Sequence, residues 1–485
     1  MRVRSVALLA GLGMMLSSMT VWSLTDPERR IESRDEWRRD DQRPEIKAAG
    51  EFSDGNVVKL EGRIGHQELS ADKEGETFAL FRVTGTDQGE GRRAPMHLVI
   101  VIDRSGSMAG KRLDNALQAA RGAVSRLLDD DVVSVVEYSN DANLLVPPTA
   151  LGGGERQRVL DQISRITSNG NTCISCALRT SMEALRRKGG MIDRVMLLSD
   201  GEPTTGAQDI TALGQIADDV RRSGASVTTV GVDVEYNERI MAEIARQSNG
   251  RHYFVENAAS LPAIFDEELE GLGRAVAREA TLELDPARGV ELVEVMDRSF
   301  RREGDRLIVP LGTVASKEDK TVLVRVRVNE SRKGEHELVQ ARLEYEEAGS
   351  GRKGECGGAL AVNVVDGPAS DRLDPLVEER MRRSSTVGTL TEANRLFAGG
   401  DSKQAREKLD RALDEVKSRR QAAVAAAPAP RKAAVDKDFA RQEAALGAAA
   451  DAFATPPPAG VAAESTKSGR AAVRSNQAKA SDLAF

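Results

Sequence analysis

The run Leu98-Val99-Ile100-Val101-Ile102, followed by Asp103-Arg104-Ser105-Gly106-Ser107, constrains this chain more than any other stretch. Five consecutive apolar residues, four of them β-branched, read as a strand buried on both faces, the pattern of a parallel sheet. The run ends in three oxygen-bearing side chains spaced two residues apart. In extended backbone the residues at i, i+2 and i+4 project to one side, so a carboxylate and two hydroxyls converge there without help from a second segment. Gly106 is expected to let the loop curl around an ion.

Two distant segments supply what those three residues lack. Gly170-Asn171-Thr172 sits in a polar loop that opens a helical pattern and offers a third hydroxyl. Arg194-Val195-Met196-Leu197-Leu198-Ser199-Asp200-Gly201 is another buried-strand pattern ending in an aspartate. Parallel strands end on the same edge of a sheet, which brings both carboxylates together. Two carboxylates and three hydroxyls make an all-oxygen set with few anions. That suits Mg2+ or Mn2+, which take about six ligands at roughly 2.0–2.1 Å and retain waters, better than a calcium cage, with Ca2+ as the alternative ion. A Ser/Gly loop after a strand can also simply cap the helix that starts near Lys111.

Asp103-x-Ser105-x-Ser107, then Thr172, then Asp200-Gly201 resemble the metal-ion-dependent adhesion site of the von Willebrand factor type A domain, in the same order and at similar separations. The likeness covers roughly Met96 to Leu272. It implies a Rossmann-like, doubly wound domain in which Asp103, Ser105, Ser107, Thr172 and Asp200 hold the ion, and in which an acidic residue of a protein partner completes the coordination.

The 485 residues leave room for two or three domains. A net charge of −7, with Lys and Arg interspersed among acids and no basic patch interleaved with aromatics, argues against a nucleic-acid surface. Arg2 and Arg4 precede an apolar stretch from Val6 to Leu24, the order of a secretory signal or an uncleaved membrane anchor. Export to the periplasm or cell surface is the expectation. Arginines downstream of the stretch outnumber those upstream, against the positive-inside rule for an anchor with its bulk outside.

Cys173 and Cys176 directly follow Thr172, where a bridge is readable either as a redox latch on the third hydroxyl or as an inert local staple or pair of packed thiols. Cys356 is either a free thiol or a partner for that pair. His66, His97, His252 and His336 are scattered without ligand spacing, which excludes a zinc site built from them; His97 and His252 are read as structural.

From 96 to 272, strand runs alternate with helical periodicity, predicting an α/β, mostly parallel, doubly wound block. Short alternating strands lie on both sides, at 56–95 and 278–366, and suggest a β-sandwich that flanks the block or receives it as an insertion. Residues 25–55 read as a charged linker. Residues 374–420 resemble one tetratricopeptide-like helical hairpin, and the Ala- and Pro-rich stretch 421–485 is expected to be disordered. The function expected is non-enzymatic, metal-dependent protein binding as an adhesion or scaffold protein of the cell envelope. An envelope assembly or regulatory factor is the alternative. A metal-assisted hydrolase lacks support, because no GxSxG elbow, Gly-Lys-Ser/Thr phosphate loop or HExxH helix is present.

Overall fold

The computed structural model describes residues 46–484 apart from 48, 73–74, 88–92, 186–190, 201, 233–235, 330–331 and 455–464. The apolar stretch Val6–Leu24 therefore lies outside the described residues. Among the described residues, no helix is long and apolar enough to cross a membrane.

The run noted above is the central strand Met96–Asp103, buried along its whole length. It lies in a six-stranded sheet ordered His252–Val255, Ser226–Val232, Ile192–Ser199, Met96–Asp103, Val132–Tyr138, Ala142–Ala150. All neighbours are parallel except the last pair, which is antiparallel. Alternate residues of the central strand face opposite layers. Leu98, Ile100 and Ile102 pack with Leu113, Ala120, Val124 and Phe265 of the helices Lys111–Arg126 and Leu261–Gly273. Val99 and Val101 pack with Leu178, Leu213, Val220 and Ile244 on the other side. The strand is apolar at every position because both of its faces are covered. From Met96–Asp103 the chain winds first to Val132–Tyr138 and then to Ile192–Ser199 on the opposite side. The winding thus reverses between the strands that end at Asp103 and Ser199, where open α/β sheets form a crevice.

The block is inserted into a β-sandwich. Val58–Ile64 and Gly75–Gly85, which precede it, form a five-stranded sheet with Val290–Met296 and Asp319–Val328, which follow it. Gly75–Gly85 pairs antiparallel with Asp319–Val328, from Thr84 opposite Asp319 to Gly75 opposite Val328. The facing seven-stranded sheet is built mainly from Ala275–Pro286, Arg306–Ala315, Gly334–Glu347 and Lys353–Val365. One apolar core, including Leu60, Phe81, Leu282, Val324, Leu343 and Val362, lies between the two sheets. Within the expected 25–55 linker, Ile46–Lys47 and Ala49–Glu51 instead add short strands, one to each sheet.

The C-terminal region departs most from expectation. Four helices, Pro375–Ala398, Ser402–Ala426, Lys432–Ala452 and Lys467–Ala484, form one layer in place of a single hairpin and a disordered tail. They pack on the outer face of the five-stranded sheet through Leu80 and Leu323, and bury Phe397, Phe439, Leu446, Phe453, Val473 and Leu483. Phe397 and Phe453 stack with ring centroids 4.0 Å apart. The alanine that made the tail look core-poor favours helix strongly, and a few aromatic and branched residues anchor such helices once a sheet face is offered to them.

Candidate metal centre

Asp103 is the last residue of its strand and is fully buried. Its Oδ1 accepts from the Ser105 backbone N–H at 2.9 Å, and its Oδ2 accepts from the Ser199 hydroxyl at 2.9 Å. Burial, reinforced by the nearby Asp200 charge, pushes its pKa up to about 6 against the hydrogen bonds that lower it. Asp200, also fully buried, is likewise raised by desolvation. Its Oδ1 accepts from the Ser107 hydroxyl at 2.8 Å and its Oδ2 from Arg112 Nη1 at 3.0 Å. The hydroxyls of Ser105 and Ser107 lie 3.0 Å apart.

Four of the five expected residues thus form one chain of contacts that crosses the crevice from Asp103 to Asp200. Thr172, which is buried, is brought to the same place through the backbone of its loop. Gly106 N–H donates to Gly170 O at 2.9 Å, Asn169 N–H to Arg104 O at 2.7 Å, and Cys173 N–H to Ser139 O at 2.8 Å. Behind it, Thr172 N–H donates to Thr204 Oγ1 and Thr204 N–H donates to Thr172 O, each at 2.9 Å. The loop that follows Asp200 is therefore pinned to the loop that carries Thr172.

Two local expectations need correction. Ser105 is extended, but Gly106–Met108 is a turn of 3-10 helix, so Ser107 reaches Ser105 and Asp200 because the chain turns and not because a strand alternates. Gly106 is also not a conformational requirement: its φ is not positive, and a Cβ there would make only ordinary contact. The glycines needed at the site are Gly110 (φ +78°), which starts the following helix, and Gly170 (φ +81°).

Cys173 and Cys176 are joined by a disulfide across the start of the helix Ile174–Ala184. Cys356 is a free thiol buried in the sandwich core, not a partner for them. His97 Nε2 contacts Ser134 Oγ at 3.0 Å, and His252 contacts Thr229 Oγ1 at 2.9 Å and the Tyr236 hydroxyl at 3.2 Å, all within the packed interior.

Sequence reasoning missed three contributors. Ser199 holds Asp103, a role readable only once the strand ends are aligned with Ile102 opposite Leu198. Tyr138, fully buried, donates to Leu198 O at 2.9 Å and backs the crevice floor. Arg112 lies one helical turn past the loop and carries no motif signal. The donor set itself is all oxygen, with two carboxylates that burial leaves short of solvation for their charge. A hard divalent cation fits that deficit.

Residues 97–267 match the profile of the von Willebrand factor type A domain. The chain is 27% identical over 273 residues to an uncharacterized protein of Synechocystis, covering 54% of this chain and 64% of that one. It is 24% identical over 233 residues to human inter-alpha-trypsin inhibitor heavy chain H4, covering 44% of this chain and 24% of that one. The matches thus span less than two thirds of these relatives. Among solved structures, a von Willebrand factor type A protein from Catenulispora acidiphila superposes with a TM-score of 0.66 at 18% identity, over 81% of this chain and 91% of the other. The ArnB paralog VWA2 from Sulfolobus acidocaldarius gives 0.57 at 16% identity, over 88% and 99%. Likeness at such identity concerns the fold.

Proposed function

We propose that the von Willebrand factor type A domain of this chain is a metal-dependent protein-binding module. Domains of this type generally mediate protein–protein interaction, often with a metal. The finer reading is that Asp103, Ser105, Ser107, Thr172 and Asp200 hold Mg2+ or Mn2+, directly or through water, and that an acidic side chain of a partner protein docks on the ion. The bound ion supplies an electrophilic point charge. The chain's own residues orient it through Ser105, Ser107 and Ser199 and exclude water from the side of the crevice walled by Tyr138.

The observation that carries this reading is the hydrogen-bonded path Asp103–Ser105–Ser107–Asp200, which gathers two buried carboxylates and two hydroxyls at the point where the sheet's winding reverses. The apolar N-terminal stretch supports placement in the periplasm or at the cell surface, as an adhesion or scaffold protein. Pull-down from envelope extract with Mg2+ or with chelator, repeated with Asp103→Ala and Asp200→Ala, tests the proposal. Capture is expected only for the wild type with metal, and equal capture by all samples would refute it.

A further inference from the structure

Arg112 stands on the first turn of the helix Lys111–Arg126, and its Nη1 donates both to Ser107 O and to Asp200 Oδ2, each at 3.0 Å. Its side chain is 31% exposed while that of Asp200 is 0% exposed, so the guanidinium lies over the buried carboxylate on the solvent side. Gly110, at φ +78° and ψ −136°, begins the helix in a backbone region open only to glycine, which is how Arg112 comes to sit directly above the loop. Asp200 thereby holds two donors on opposite oxygens, the Ser107 hydroxyl and the arginine.

We propose that Arg112 is a specificity-determining counter-charge: a tethered cation that weakens divalent metal binding at this site and, once the metal is bound, strengthens the pull on an incoming carboxylate. The inference rests on the metal-binding reading above and adds the role of a residue outside the five-residue set. Charge counting decides it. Two aspartates carry −2, so a divalent ion alone leaves the loaded site neutral, whereas the same ion beside Arg112 leaves it at +1. A divalent ion held beside Asp200 would also meet repulsion from the guanidinium bound to the same carboxylate. For a double and a single charge about 6 Å apart under water-like screening, that repulsion corresponds to roughly tenfold in affinity. The site therefore exchanges metal affinity for attraction to an anion.

Calorimetric titration of the full chain with Mg2+ alone, at about pH 8 where the carboxylates are ionised, tests this in wild type, Arg112→Gln, Arg112→Lys and Asp200→Ala. Arg112→Gln is expected to bind Mg2+ about tenfold more tightly and with a weaker dependence on ionic strength. Arg112→Lys, which keeps the charge but not the planar fork, is expected to stay within about threefold of wild type. Asp200→Ala is expected to lose binding. Unchanged or weaker Mg2+ binding in Arg112→Gln, with Asp200→Ala still lost, would overturn the role of Arg112 and leave the metal site standing. Absence of Mg2+ binding in the wild type, or its survival in Asp200→Ala, would overturn both.

Discussion

Replacing Arg474 by alanine probes whether the last helix belongs to the folded body, and the structure sets the size of the effect. Arg474 lies on Lys467–Ala484 with its side chain 7% exposed, and it donates to the Tyr236 carbonyl through Nε at 3.0 Å and Nη2 at 2.5 Å. It also reaches the Glu238 carboxylate at 3.4 Å and sits 5.3 Å above the Tyr236 ring. Alanine would take the charged donors from that carbonyl and leave a carboxylate only 10% exposed without this partner. Removing one member of a buried pair costs about 3–5 kcal/mol. The loss falls on the docking of one helix, so it reads out as local opening, and amide exchange within 467–484 should accelerate by about two to four orders of magnitude. Adding Glu238→Gln to the alanine variant should restore part of the protection, because it removes the buried carboxylate charge that Arg474 faces. Unchanged slow exchange in Arg474→Ala, or exchange at the unprotected rate in the wild type, would refute the reasoning.

Gly206, at φ +70°, lies against the bridge beside Thr172, and a Cβ there would collide with Ser175 Oγ and Cys173 Sγ. Gly206→Ala should lower stability by about 1–3 kcal/mol in urea and weaken Mg2+ binding, because the loop carrying Thr172 must shift. Burial lowers the His252 pKa from 6.5 to about 4. The folded chain then holds this ring neutral where the unfolded chain protonates it. Stability should be full above pH 6.5 and decline as pH falls toward 4, by about 3 kcal/mol in total. His252→Asn should flatten that acid limb in urea titrations at successive pH values; an unchanged slope would assign the loss to other groups.

The residues of the candidate metal centre were legible because Asp103, Ser105 and Ser107 are closely spaced and both strands run apolar up to the residue before their last. Asp103, Ser105 and Ser107 can be read from ten letters of sequence, and Asp200 from another eight. What placed Ser107, however, was a turn of 3-10 helix that no periodicity announces. Arg112 and Ser199 reach Asp200 and Asp103 across segments far apart in the chain, and such contacts leave no pattern within either segment. The C-terminal helices were misread for a different reason. Val435, Phe439, Leu446 and Phe453 are too few to bury a helix pair alone, but they suffice against a sheet face that already exposes Leu80 and Leu323. Hydrophobic content per segment underestimates burial when the partner surface is supplied by another part of the fold.

The insertion also fixes an order of events during synthesis. Thr84 and Asp319, bonded side chain to side chain in neighbouring strands, are 235 residues apart. At roughly 5–20 residues per second the ribosome takes about 12–50 s to bridge that gap. For that interval Gly75–Gly85 has no Asp319–Val328 to pair with, while the inserted block, whose sheet and two apolar layers come almost wholly from residues 94–272, is finished before it ends. An unpaired strand edge invites association with neighbouring chains. A nascent chain of this design should therefore pass through a stage in which its inserted α/β block is folded and its supporting sandwich still requires protection.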